Sequence, residues 1–170
     1  SLLLIVVISA GPANVSAGES SKEIHVSCEQ QDMVFHLYQI GRVEDGSIVL
    51  TGDFAKYDVD MKDLAAAQTL EAYVKQDGLM ALKTARTDAT GTIAFADLQP
   101  AVYLLCGEAK THNGTLYIPV AAVINLGITG PVQSVVVKTE SHEKETEEET
   151  QTTEREEETQ TTEKEEETQT

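Results

Sequence analysis

Apolar and polar residues alternate in short bursts between residues 24 and 138, with turn-forming residues between the bursts. Ile24-His25-Val26-Ser27-Cys28 alternates as a strand with one buried face does. Met33 to Ile40 is denser in aromatic and branched residues, and Gly41 closes it. Asp45-Gly46 predicts a tight turn ahead of Ser47-Ile48-Val49-Leu50. Asp88 and Gly91 predict another, feeding Thr92 to Phe95, and Val102 to Cys106 follows the Gln99-Pro100 break. Asn113-Gly114 leads into Leu116 to Leu126, interrupted by Pro119, and Val132 to Lys138 follows Gly130-Pro131. About seven short strands at this spacing predict an all-β sandwich.

One segment keeps a different period. Ala66, Ala67, Leu70, Tyr73 and Val74 fall on one face of a helix between Asp60 and Gly78. Asp60 is positioned to cap its start and Gly78 to end it. The sandwich therefore carries one inserted helix.

The two ends of the chain differ from this middle. Leu2 to Ala10 is an apolar run too short for a stable transmembrane helix, which needs ~20 residues. It has the length of a signal-peptide core, and Val15-Ser16-Ala17 places small residues before a cleavage point. The competing reading is a buried N-terminal strand. Residues 1–17 are expected to be a signal peptide that lacks its basic start, and the mature domain to span 18–138. From 139 to 170 the chain carries fourteen Glu against Lys144, Arg155 and Lys164, and ends on the repeat TEREEETQT, TEKEEETQT. With no apolar side chain, nothing there offsets the ~1–2 kcal/mol per residue that ordering a backbone costs. A Glu-rich helix is opposed by like-charge repulsion and by Thr. Residues 139–170 are expected to form an extended, disordered stalk. The chain's net charge of −17 sits mostly in that tail. Without a Lys/Arg cluster, neither nucleic acid nor membrane is expected as a partner.

Against this frame, VFHLYQIG, LTGDF, TDATGTIAFADLQPAVYLL and YIPVAAVINL together resemble the prealbumin-like (SpaA-like, B-type collagen-adhesin) domains of Gram-positive pilins and surface adhesins. The resemblance covers most of residues 24–138. It departs from the family at Ala101, where a Gly is usual. It implies an immunoglobulin-like or prealbumin-like sandwich. It also implies a place for an intramolecular isopeptide bond between a first-strand Lys and a last-strand Asn, assisted by a buried acid. Mapped here, those places fall at Cys28, Gly107 and Val137, none of which has the required side chain. A slip of register would bring Lys22, Glu108 or Asn125 into consideration instead. The bond is expected to be absent.

Cys28 and Cys106 are the only cysteines, and an even count in an exported chain invites a disulfide. The resemblance places them on neighbouring strands, which implies a Cys28–Cys106 bond in the isopeptide's stead. Two buried free thiols are the other reading. Asp58, Asp60 and Asp63 lack the rest of a calcium-loop pattern and are assigned to capping and solvent. The four His show no ligand spacing, with His25 and His36 facing outward. No nucleophile motif stands out, so no metal, cofactor or enzymatic activity is expected. The expected role is a structural or adhesive module, secreted and wall-associated. Its partners would be pilus or surface-protein subunits, or host and matrix molecules. The alternative is an extracellular carbohydrate- or protein-binding module on the same fold.

Overall fold

The computed structural model describes residues 21–127 and 130–143. The expected signal peptide, and the tail beyond Glu143, lie outside the described residues. Among the described residues the fold is all-β apart from one α-helix and a 3-10 turn at Gly52–Phe54.

Eleven strands form where about seven were expected among the described residues. β1 is Lys22–Ser27, β2 Val34–Glu44, β3 Ser47–Leu50, β4 Lys83–Arg86, β5 Thr92–Leu98 and β6 Val102–Gly107. β7 is Lys110–His112, β8 Thr115–Pro119, β9 Ala122–Asn125, β10 Val132–Val136 and β11 Thr139–Glu143. The additions are short and polar. β4, β7 and β11 carry Lys, Arg, His or Glu and have no alternation to reveal them; β11 takes the first five residues of the expected stalk by pairing antiparallel with β8. The predicted Leu116–Leu126 strand splits at Pro119 into β8 and β9, as a residue without a backbone donor requires. Asp45 and Gly46 both take positive φ, closing the β2–β3 hairpin.

Two sheets face each other. One has the order β10-β1-β5, with β1 parallel to β10 and antiparallel to β5. The other runs β3-β2-β6-β9, with β4 also on β2. Ile24 and Val26, Ile93 and Phe95, Phe35 and Leu37, Tyr103 and Leu105 meet between them. Each fully buried side chain of this size contributes ~1.5–3 kcal/mol of transfer free energy. A third, small sheet, β11-β8-β7, lies apart from these two ladders.

The helix, α1 (Ala66–Asp77), covers the other face of β6 through Leu70 and Val74. It starts later than expected. Asp60 accepts from Lys62 N–H at 2.9 Å and Asp63 from Ala65 N–H at 2.9 Å, so both carboxylates hold turns that precede the helix. Ala65 stands at the cap position with no side-chain bond, so Asp60 is not the cap. Gly78 ends the helix in the left-handed region, its N–H donating to Val74 O. Tyr57 stacks on Tyr73 with centroids 4.4 Å apart, and Lys56 Nζ and Tyr57 OH both donate to Asp77 Oδ2. That carboxyl is held below its usual range by Lys56 and Tyr57.

Candidate functional site: the seam between first and last strands

The parallel register runs Glu23↔Val132 to Ser27↔Val136. One step further, Val137 N–H donates to Ser27 O at 2.9 Å, and Cys28 and Val137 are both buried in the inter-sheet core. The resemblance thus sets its Lys and Asn positions at adjacent places in register, at the same end of the seam. Gly107 closes β6, on the inward side of the strand that Tyr103 and Leu105 occupy.

These three positions cannot perform the condensation. An isopeptide needs a neutral amine in contact with an amide and an acid to move protons. Here a thiol, an isopropyl group and no side chain take their places. Gly107 also lacks room for anything larger: a Cβ there would stand 2.6 Å from the Pro119 ring and 2.8 Å from Phe35. The alternative trio is dispersed. Lys22 pairs with Leu98 at the start of β1. Asn125 pairs with Val102 at the start of β6 and accepts from Gly127 N–H. Glu108, beyond the other end of β6, accepts from His36 Nε2–H at 2.8 Å.

In the structure both thiols are free and buried, and are not joined in the expected Cys28–Cys106 disulfide. Strand periodicity is the reason. Cys106 follows Val102 and Leu104 onto the face under α1, whereas Cys28 points between the sheets. Moreover β1 and β6 belong to different sheets and do not pair. Cys28 donates from Sγ to Gln30 O at 3.0 Å. Burial pushes the Cys106 thiol up to about 12, with Glu71 adding to the shift and Lys75 opposing it.

A brace beside the seam went unassigned in the sequence, although its residues open the TDATGT motif. Thr87 is buried; its hydroxyl donates to Gln30 O and accepts from Met33 N–H at 2.8 Å. Asp88 receives the N–H and hydroxyl of both Thr90 and Thr92, and these bonds hold its carboxyl well below the usual carboxylate range. Gly91 turns beneath them with φ +77, its O accepting from Cys28 N–H. A Cβ at 91 would lie 2.2 Å from Cys28 O, so the backbone contact that seats Cys28 excludes any side chain there.

His25 bonds Glu23, and His36 sits between Thr84 and Glu108, both on outward positions. Among the described residues no three His, Cys, Asp or Glu side chains are grouped to hold a metal ion, and no helix is long and apolar enough to cross a membrane.

No family model matches the chain, and none of the curated proteins matches it. Among solved structures it is similar to the T6 backbone pilin of serotype M6 Streptococcus pyogenes, at 16% identity and a TM-score of 0.48 over 72% of this chain and 28% of that one. It is also similar to the full-length major pilin SpaD from Corynebacterium diphtheriae, at 16% identity and 0.41 over 76% and 32% of the two chains. The third similar structure is the Corynebacterium diphtheriae SpaA pilin–signal peptide complex, at 15% identity and 0.37 over 68% and 94%. This chain thus spans about a third or less of the first two pilins.

Proposed function

We propose that this chain is a non-enzymatic structural module of a Gram-positive cell surface, a pilin-like subunit or wall-linked spacer. The observation that carries the reading is the parallel pairing of β1 with β10. Because the two strands run the same way, the start of β1 and the end of β10 lie at opposite ends of the seam. A pull transmitted through the chain draws the strands past one another and loads the ladder bonds together, instead of opening them one at a time. An in-line spacer needs that geometry. The motifs quoted above and the Glu/Thr tail, as a secreted stalk, support the same reading. Its partners would be neighbouring surface or pilus subunits, with adhesion to host or matrix molecules a further role for the exposed loops.

Single-molecule pulling tests the reading. Stretching between the ends of the folded chain is expected to need several-fold more force than stretching between residues 22 and 132, which lie side by side at one end of the seam and would unzip. Equal forces in the two geometries would remove the argument for a load-bearing module.

A further inference from the structure

β10 lies at the end of its sheet, beyond β1. Glu23 N–H donates to Pro131 O and Val137 N–H to Ser27 O, so the parallel register turns the amides of Gln133 and Val135 toward β1. The N–H and C=O groups of Val132, Ser134 and Val136 therefore point off the sheet. Among the described residues no backbone partner bonds them. Such a row is a template for another strand, and proteins usually blunt it with Lys, Pro or a bulge. Val132-Gln133-Ser134-Val135-Val136 has none of these. Its outer face is apolar as well: Val132 is 45% exposed and Val136 80%. The other large apolar residues exposed among the described ones, Leu64, Met80 and Leu82, lie in loops.

We infer that β10 is a self-pairing edge, through which two copies of this chain join β10 to β10 in antiparallel fashion about a two-fold axis at Ser134. The segment matches itself under that operation. Ser134 opposes its own copy, Val132 opposes Val136, and each outward N–H meets an outward C=O. The two exposed valines then meet as cross-strand pairs, the contact that stabilises antiparallel ladders. A second copy is the favoured occupant because the segment is uncharged. Chains of net charge −17 approach most easily where neither carries charge. A five-residue edge buries less than the ~1,000 Å² that a stable interface needs. The association is therefore weak, with a dissociation constant on the order of 0.1–1 mM, and matters where copies are crowded on a surface.

Sedimentation of the full chain up to millimolar concentration, in salt high enough to screen the tail, is expected to show a monomer–dimer equilibrium. Val136→Lys lowers the net negative charge and so relieves general repulsion, yet it is expected to weaken the dimer at least tenfold. Ser134→Cys is expected to cross-link two chains under mild oxidation, because self-opposed residues in a bonded pair stand ~5.5 Å apart at Cα. Gln133→Cys, which opposes Val135, is expected not to. A chain that stays monomeric throughout overturns the inference. So does a Val136→Lys variant that dimerises as well as the parent, or equal cross-linking at 133 and 134.

Discussion

β6 presents two different environments from one strand. Tyr103 and Leu105 enter a core closed by a sheet on each side, where Phe35, Ile24 and Leu126 are also removed from solvent entirely or nearly so. Val102, Leu104 and Cys106 enter a second core, closed by a single helix and by loops. Its flanks, from Val43 and Ile48 to Tyr57, Val59 and Met61, are only partly buried. The first core has few partly buried neighbours; the second has many and grades into water. Their difference keeps the cysteines apart: the two-residue period of β6 turns Cys106 under the helix, while Cys28 faces the core between the sheets.

The largest expected effect comes from forcing a side chain into the inter-sheet core. Gly107→Glu restores the acid that the resemblance places there, yet it drives a Cβ into Pro119 and Phe35. Such overpacking with a buried charge is expected to cost more than about 4 kcal/mol or to prevent folding. Denaturant melts would show it. A stable Gly107→Glu protein would mean that this end of β6 yields more readily than its contacts indicate.

Truncation in each core sharpens the contrast. Phe35→Ala is expected to lose ~3–5 kcal/mol because two sheets cannot collapse onto the void. Leu70→Ala, under a helix able to shift, is expected near the ~2 kcal/mol end of its range. Urea midpoints compare the two directly. The reverse ranking would show that the helix-covered core is the stiffer one.

Near neutral pH the thiols give the smallest effect, and it grows as pH rises. Cys106 has its folded value pushed up to about 12 from an ordinary 9.0. Above pH 9 the unfolded chain releases this proton while the folded chain keeps it. Stability therefore falls as pH rises from 9 toward 12, and Cys106→Ala should flatten that loss. With both thiols free, reductant should leave the melting temperature unchanged. Intact mass should show no loss of ammonia or water either. A reductant-sensitive melt would restore the disulfide.

The elements readable in the sequence were those in which burial imposes a period. Ser47–Leu50 was read with its observed bounds, and β1, β2, β5 and β6 to within a few residues, because each alternates or is buried on both faces. β4, β7 and β11 hold their places mainly through backbone pairing, with Ala85 their one side chain against the inter-sheet core, so composition hides them. The helix start was missed because Asp60 and Asp63 satisfy local turns before the helix begins, a choice that a capping preference cannot resolve. Of the site, Cys28 and Val137 lie one step past the last paired residues of β1 and β10. The brace of Thr87 and Asp88 was visible as a motif, but its role depends on Gln30 and Met33, more than fifty residues away.

The seam also sets when this chain can finish folding. The first strand to be made must wait for the last main-sheet strand, because Glu23 finds its partner only at Val132, across nearly the whole domain. Closing so long a loop comes late and slowly. A chain emerging end-first, whether from a ribosome or through a membrane, holds Ile24 and Val26 half-covered by β5 until residue 136 is out. During that interval the nascent domain is open along one side, and its susceptibility to proteases or to pairing with neighbouring nascent chains is set by how quickly the last few residues arrive.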